Sequence, residues 1–298
     1  MADEPLTLRE VLDGDEPVAL VAQGGGMRGT YSIAALAALE DEGYTRRFAD
    51  LYGTSAGALN SAYFMAKQAN DGVGIYVDHL SNRRFIDLRR LSRIIDIDYL
   101  VDEVLKTSVP LDTQAVLQSP SRLHVGLTSA IDGNLHWIDV DGATDLFEVM
   151  RGTAALPVVF GREIPLGGDR FVDGGLLAPV PVQKALADGY RNLVVVLTRP
   201  PAFAPKPSNP LVGALVRSLA RQKGHSRAVV ELLGGQMVHL AEELEVIRRA
   251  GASGDDLRIW TIAPSEDIAK RLTRDRATLA HTAVVGRADA HRTLETVR

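Results

Sequence analysis

Short apolar runs alternate with longer stretches rich in alanine and leucine near the start of the chain. The run Val18–Ala22 ends in a glycine cluster and is followed by Thr30–Glu42, a stretch with helical composition. Phe48–Tyr52 and the stretch Ala56–Lys67 repeat this arrangement. Tandem strand–loop–helix units favour a parallel sheet that is covered by helices. The pattern therefore predicts an α/β fold.

The middle of the chain mixes both kinds of element. Residues 71–118 read as mostly helical and include an arginine-rich segment, 83–93. Asp132-Gly133-Asn134 lies between two apolar runs and predicts a hairpin turn. The remaining predictions are strands at Leu123–Ser129, Leu135–Val140, Val158–Ile164, Arg170–Val172 and Leu193–Thr198, and a helix at Asp145–Thr153.

A proline-rich segment suggests how the chain divides. Residues 199–210 carry five prolines in twelve positions, which is typical of a linker. Beyond it, Leu211–Ala250 reads as helical, Leu257–Ala263 as one more strand, and the stretch from Ser265 to the end as helical. We therefore predict a main domain at 16–200, a linker at 199–210 and a mainly helical C-terminal extension at 211–298.

The overall composition excludes several classes of function. The chain has 298 residues, of which 46% are hydrophobic and 24% charged, and this is ordinary for a globular protein. A net charge of −5 gives no general reason to expect nucleic acid as a partner. The absence of cysteine excludes disulfides, thiolate metal sites and a cysteine nucleophile. The acidic N-terminus does not resemble a secretory signal, so we expect a cytoplasmic protein, with peripheral membrane contact left open.

The first candidate for chemistry is Gly53-Thr54-Ser55-Ala56-Gly57, between a predicted strand and a predicted helix. A G-x-S-x-G sequence at such a junction forms a tight turn, and its small flanking residues let the neighbouring backbones pass. The turn lifts the serine hydroxyl clear of the sheet, where the helix N-terminus favours developing negative charge. Ser55 is therefore a candidate nucleophile.

The second candidate is Gly24-Gly25-Gly26-Met27-Arg28-Gly29, after the first predicted strand. Successive glycines let the backbone approach a ligand and present N–H groups that suit an oxyanion. The same residues match G-x-G-x-x-G, so a dinucleotide-binding loop is an alternative. That alternative requires an acidic residue at the end of the next strand, where the chain instead has Gly53–Gly57.

The third candidate is Asp173-Gly174-Gly175. Taken alone, an aspartate before two glycines is most often a turn former. The three motifs together, G-G-G-x-R-G, G-x-S-x-G and D-G-G in this order, resemble the patatin-like phospholipase family. The resemblance covers roughly Val18 to Thr198 and implies a three-layer α/β/α fold with a mostly parallel central sheet.

The resemblance also implies roles for individual residues. Ser55 would be the nucleophile and Asp173 its general base, with an acyl-serine intermediate and no histidine. An oxyanion hole would form from the backbone of Gly25, Gly26 and Met27 beside Arg28. The motif glycines are Gly24, Gly29, Gly53, Gly57, Gly174 and Gly175.

A Ser-His-Asp triad is the main rival to this mechanism, because four histidines follow the serine late in the chain. They are His225, His239, His281 and His291. All four lie in or beside predicted tail helices, and a surface or helix-face position accounts for each of them. The triad is therefore disfavoured.

Neither the arginine-rich segment nor the two histidines near the predicted hairpin is predicted to be a functional site. The arginines of 83–93 could meet lipid phosphates, but a solvated helix face around buried Phe85, Ile86, Leu88 and Leu91 is the favoured interpretation. His124 and His136 have no partner at ligand spacing, so we predict no metal and no cofactor.

The leading hypothesis is a serine acyl hydrolase that acts on a lipid or another acyl ester. The alternative is a scaffold or regulator with the same fold and little catalysis, whose helical tail docks a partner. The sequence does not determine the acyl chain length or head group of the substrate, the role of the tail or the oligomeric state.

Overall fold

The computed structural model describes residues 6–90, 93–200, 202–206, 209–250 and 256–297. The strands are β1 (Val18–Ala22), β2 (Phe48–Gly53), β3 (Arg122–Ser129), β4 (Leu135–Asp139), β5 (Ile164–Leu166), β6 (Asp169–Asp173), β7 (Asn192–Val196) and β8 (Arg258–Ile262). The α-helices are α1 (Leu8–Asp13), α2 (Gly29–Asp41), α3 (Ala56–Met65), α4 (Ala69–Gly74), α5 (Thr113–Leu117), α6 (Leu146–Thr153), α7 (Val182–Ala187), α8 (Pro210–Gln222), α9 (Arg227–Leu232), α10 (Gln236–Arg249) and α11 (Arg276–Leu294). Short 3₁₀ turns lie at Gly26–Arg28, Tyr44–Arg46 and Gly174–Leu176, and π-helical turns at Ile75–His79 and Tyr99–Ser108.

The strands form one mixed sheet in the order β5-β6-β3-β2-β1-β7-β8, with β4 also paired to β3. The pairs β3–β2, β2–β1, β1–β7 and β7–β8 are parallel. The pairs that β3 makes with β4 and β6, and the β5–β6 pair, are antiparallel. The predicted α/β class with a mostly parallel sheet is confirmed.

The sheet is buried on both faces. Val18 and Leu20 of β1 pack into one apolar cluster, while Ala19 and Val21 pack into another, as alternating side chains of a strand must. The first cluster includes side chains of α2, α3 and α11, and the second includes side chains of α7 and α10. Helices therefore cover both faces, which gives the three layers that the family resemblance implies.

The C-terminal region joins the same sheet. The predicted strand at Leu257–Ala263 is confirmed as β8, and helices occupy most of the rest of the described tail. Helix α11 packs closely on α2, because a side chain at Gly286 would lie 2.5 Å from the Tyr31 carbonyl oxygen. The Tyr31 hydroxyl also donates a hydrogen bond of 3.0 Å to Asp289. The tail thus contributes both a strand and a covering helix to the core.

Three local predictions are wrong. The stretch from Ser265 is not helical throughout, because 265–275 contains no helix and α11 begins only at Arg276. Val158–Ile164 is not a strand: residues 157–160 form turns, and β5 begins only at Ile164. The arginine-rich segment is not a helix either, since 81–90 consists of turns and the isolated bridge Ile86–Ile95. Phe85 and Ile86 are buried as expected, but Leu88 is 61% exposed. Leu91, like Pro201, Pro207 and Ser208 of the predicted linker, lies outside the described residues.

Candidate active site

Ser55 occupies a sharp turn between β2 and α3. Its backbone has φ 54° and ψ −132°, a conformation that residues with a side chain rarely adopt. Gly57 permits this turn, because a Cβ there would lie 2.1 Å from the Ala22 carbonyl oxygen at the end of β1. Gly53 is equally confined, since its Cβ would lie 2.6 Å from the Ala58 nitrogen. The predicted elbow therefore has the geometry that its glycines require.

A threonine that sequence analysis missed braces this turn. The Ser55 N–H donates a 2.9 Å hydrogen bond to the Thr153 hydroxyl, which in turn donates to the Gly126 carbonyl at 2.8 Å. Thr153 is the last residue of α6 and Gly126 lies in β3. Both hydrogen bonds are buried, and together they connect the strained backbone of Ser55 to β3 of the sheet.

Strand β3 brings Asp173 to the elbow. Val125 of β3 pairs with Gly53 of β2 on one edge and with β4 on the other. Leu127, two residues further, pairs with Asp173 of β6 and again with β4. Because β4 occupies one edge at both positions, β6 continues the edge that β2 leaves. Asp173 therefore follows directly beyond the end of β2, beside Ser55.

The Asp173 side chain is 2% exposed, and its Oδ1 accepts a 2.7 Å hydrogen bond from the Gly175 N–H. Burial raises the pKa of the Asp173 carboxyl to about 6. The Gly175 hydrogen bond, the interaction with the Ser55 hydroxyl and the charge of Arg271 lower this pKa, but they do not cancel the effect of burial. Asp173 is thus a stronger base than an exposed aspartate and is still ionised at neutral pH.

The glycine loop after β1 lies at the carboxyl ends of the parallel strands, as Ser55 does after β2. The N–H groups of Gly25 and Gly26 have no hydrogen-bond acceptor in the described part of the chain. Gly26 has φ +59°, and a side chain there would lie 2.8 Å from the Arg271 carbonyl oxygen. The Met27 N–H, in contrast, donates to that same carbonyl at 3.1 Å. Met27 therefore has no free N–H for an oxyanion, and its buried side chain lines an apolar pocket instead.

The remaining motif glycines permit close contacts around these groups. At each one, a Cβ would meet another atom at under 3.0 Å. The positions and the atoms approached are Gly24 (Thr54 carbonyl oxygen), Gly29 (Tyr76 hydroxyl), Gly174 (Gly126 carbonyl oxygen) and Gly175 (Asp173 Oδ1).

Two pockets meet at Ser55. One is apolar, has a volume of about 580 Å³ and is lined mainly by aliphatic and aromatic side chains. Its walls include Leu59 and Tyr76, Phe85 and Ile86 of the arginine-rich segment, and Val101 of the π-helical turn. The other is polar, has a volume of about 410 Å³ and contains Asp173 together with three arginines, Arg28, Arg199 and Arg271.

None of the seven histidines lines either pocket at Ser55. His225 is buried against the Pro157 carbonyl oxygen at 2.6 Å. His239, His281 and His291 lie 3.4 Å, 3.5 Å and 3.4 Å from Glu242, Glu266 and Glu42. The alternative of a histidine-dependent triad therefore has no histidine at the serine.

The described ranges contain neither a membrane-spanning helix nor a cluster of metal ligands. No α-helix there is both long enough and apolar enough to cross a bilayer. No group of three or more acidic or histidine side chains in those ranges could hold a metal ion.

Comparisons with known proteins agree with the motifs. The sequence profile of the family described as patatin-like phospholipase matches residues 20–186, which is more than half of the chain. The uncharacterized protein YjjU of Escherichia coli (strain K12) is 32% identical over 204 residues, which cover 66% of this chain and 55% of the relative. This chain thus spans about half the length of that relative.

Two solved structures are more distant. VipD from Legionella pneumophila aligns with a TM-score of 0.49 and 13% identity over 94% of this chain and 66% of its own. Human GIVD cytosolic phospholipase A2 aligns with a TM-score of 0.31 and 16% identity over 57% of this chain and 26% of its own. On the strength of the profile match, the chain belongs to the patatin-like phospholipase family and thus to a family of lipid hydrolases.

Proposed function

We propose that this chain hydrolyses carboxylic esters of lipids through a Ser55–Asp173 dyad. The observation that carries the proposal is the convergence of three features: a strained serine, a buried carboxylate beside it, and an apolar pocket that opens on the serine. A patatin-fold scaffold would need none of them. An apolar pocket is the natural place for an acyl chain, because burial of each methylene contributes about 0.8 kcal/mol.

The reaction would follow ordinary acyl transfer. The Asp173 carboxylate takes the Ser55 proton while the serine oxygen attacks the acyl carbon. The N–H groups of Gly25 and Gly26 stabilise the resulting oxyanion, as does the positive end of α3. The C–O bond to the leaving group breaks, the alcohol departs with the proton from Asp173, and an acyl-serine remains. Water, deprotonated by Asp173, then releases the fatty acid, and the proton returns to Ser55.

Labelling with a fluorophosphonate and turnover of a lipid ester panel test this proposal together. The probe should react with the native chain at Ser55, and at least one class of acyl ester should be hydrolysed. Native, folded protein that neither labels nor hydrolyses any ester of the panel would support the scaffold alternative instead.

Val101→Phe should narrow the range of acyl chains. Val101 is fully buried and lines the apolar pocket, so a larger side chain there takes up room that a long chain needs. We expect the ratio of kcat/KM for a long-chain ester to that for a butyrate ester to fall about tenfold or more. Val116→Phe is the matched control, because Val116 is also buried but lies outside that pocket. An equal fall in both variants would contradict the assignment of the pocket.

The outer face of α8 is the proposed contact with a lipid surface. Leu211, Val212 and Leu215 are 80%, 55% and 60% exposed, and residues four apart lie on one side of a helix. The helix carries Arg217 and Arg221 and no acidic residue, although the whole chain is net negative. Exposed leucines beside basic residues suit an anionic bilayer.

A cavity connects this face of α8 with the pockets at Ser55. Val212 and Val216 line a third cavity of about 930 Å³, which has apolar walls formed partly by Leu156 and Val159. This cavity shares Arg271 with both pockets at Ser55. A lipid that leaves the bilayer at α8 would therefore have an apolar route to the serine.

The double variant Leu211→Asp/Leu215→Asp should lose vesicle binding. The native chain is expected to sediment with phosphatidylglycerol vesicles, less so at high salt, and the variant at least tenfold less. Val284→Asp is the control, because Val284 is 65% exposed on α11. Absence of native binding, or equal loss in the control, would contradict the proposal. A native dimer that the double variant splits would assign the face to a second copy of the chain.

A further inference from the structure

Three arginine side chains meet in the polar pocket beside Ser55. Arg28 follows the glycine loop after β1, Arg199 follows β7, and Arg271 comes from the segment before α11. All three are half-buried. They lie against the proposed oxyanion donors: a Cβ at Gly25 would lie 3.2 Å from Arg28 Nε, and one at Gly26 would lie 3.0 Å from Arg271 Cγ.

None of the three makes an ion pair with a carboxylate among the described residues. Arg28 Nε donates a long hydrogen bond of 3.5 Å to the Thr198 hydroxyl. Arg199 stacks over Phe203 at 4.0 Å, and its buried Nε has no hydrogen-bond partner in the part of the chain that the structure describes. Arg271 donates to the neutral amide of Gln236 at 3.4 Å. By contrast, Arg122, Arg151 and Arg292, elsewhere in the chain, each pair with a carboxylate.

The three positive charges therefore repel one another, and the single carboxylate of Asp173 offsets them only in part. Burial, together with the charges of Arg199 and Arg271, lowers the pKa of Arg28 to about 9. Burial and the charge of Arg271 likewise lower the pKa of Arg199. A guanidinium group keeps its charge at neutral pH in proteins. The carboxylate of Asp173 is the only acidic group that lines this pocket in the described ranges, so the pocket keeps an excess of positive charge.

The place of this pocket in the fold suits a ligand. In the sheet, β1 lies between β2 and β7. The chain leaves β1 towards β2 on one side and leaves β7 towards β8 on the other, so the two connections run in opposite directions. Crevices of this kind, at the carboxyl ends of parallel strands, are where open α/β sheets bind ligands. Arg28 follows β1 and Arg199 follows β7, the two strands that border this crevice.

We propose that the three arginines bind the phosphate group of the ester substrate while its acyl chain lies in the apolar pocket. This proposal rests on the proposed function and names its substrate class, a lysolipid-like ester with a terminal phosphate. A phosphomonoester has up to two negative charges and three terminal oxygens, and planar guanidinium groups bind such oxygens in pairs. A neutral head group would leave the excess positive charge of the pocket uncompensated.

The test compares three esters with one acyl chain: an acyl glycerol phosphate, an acyl glycerophosphocholine and an acyl glycerol. The native chain should have the highest kcat/KM for the phosphomonoester. Arg199→Gln and Arg271→Gln should each lower the ratio of kcat/KM for the phosphomonoester to that for the acyl glycerol by about 10-fold to 100-fold. Arg227→Gln is the matched control, because Arg227 is exposed and pairs with Glu231 on α9. Its ratio should not change.

A binding experiment separates this proposal from the proposed function. Calorimetry with Ser55→Ala should give a lower Kd for the acyl glycerol phosphate than for the acyl glycerol. Arg199→Gln in that background should remove this difference in Kd. This result stands even if no ester is hydrolysed. Equal binding of the two lipids, or an unchanged ratio in both arginine variants, would overturn the proposal. Arginine-dependent binding of inorganic phosphate without any preference among the lipids would also overturn it, because the pocket would then be a site for free phosphate.

Discussion

Ser55→Ala should abolish fluorophosphonate labelling and lower ester turnover by about 10³-fold or more, because no other oxygen can take over the attack. The substitution removes a single oxygen atom from a residue that is 9% exposed. The strained backbone has a Cβ in both forms, so the change adds no backbone penalty. The hydrogen bond from the Ser55 N–H to Thr153 does not involve the side chain and survives. We therefore expect an inactive protein with native stability.

Ser61→Ala provides the matched control. Ser61 is a buried serine on α3, the helix that follows Ser55, and its hydroxyl has no hydrogen-bond partner among the described residues. This variant should label at the native rate and keep its turnover. Persistent labelling of Ser55→Ala, located by peptide mass spectrometry, would place the nucleophile elsewhere and refute the assignment.

Asp173→Asn should lower turnover by about 10²-fold to 10⁴-fold and at the same time stabilise the fold at neutral pH. The loss of activity follows from the loss of the base. In the native chain, kcat/KM should fall as the pH drops through about 6, where burial places the pKa of Asp173. Amide and carboxyl groups have nearly the same volume, and Asn can still accept the hydrogen bond from the Gly175 N–H.

The gain in stability follows from the sign of the same shift. The pKa of Asp173 is raised from 3.8 to about 6 on folding, so folding disfavours the ionised form. The penalty is absent below the unfolded pKa, grows as the pH rises, and reaches about 3 kcal/mol above the folded pKa. Asparagine has no such penalty. Chemical denaturation should therefore show a higher free energy of unfolding for the variant at pH 7 to 8, and no difference near pH 3.5.

Glu243→Gln is the control for this experiment. Burial raises the pKa of Glu243 to about 8, but the residue lies on α10, outside both pockets at Ser55. Its removal should stabilise the fold increasingly as the pH rises above about 4.5, with the full gain reached above pH 8, and leave turnover unchanged. If Asp173→Asn kept its activity, Asp173 would be only a turn former, as its position before two glycines would suggest on sequence grounds alone.

The elements around the serine could be predicted from the sequence because their signals are local. An apolar run, a glycine cluster and an alanine-rich stretch fix β1 and α2, and the same logic fixes β2 and α3. The false strand at Val158–Ile164 shows the limit of this logic. Phe160 and Ile164 are buried and Val158 and Val159 are half-buried, although turns precede Gly161, which has φ 83°. A run of apolar residues can therefore lie in a turn as well as in a strand.

The parts of the site that were missed depend on tertiary structure. Thr153 carries no motif, and its role appears only once α6 lies next to the elbow. Arg199 reads as the first residue of a proline-rich linker, and Arg271 belongs to a tail with no resemblance to the three motifs. Their convergence on Ser55 depends on the strand order, which places β7 beside β1, and on the path of the chain after β8. No spacing along the sequence encodes it.

The register of strand β3 sets the positions of the two proposed catalytic groups relative to each other. Its pairing fixes Asp173 two positions beyond the partner of Gly53, whatever path the chain takes between them. The long connection could therefore gain or lose residues during evolution without moving the carboxylate. A shift of β6 by a single position along β3 would instead turn the carboxylate to the opposite face of the sheet. Variation in length is thus tolerated in loops that touch neither the site nor β3, but not within the short ladder between β3 and β6.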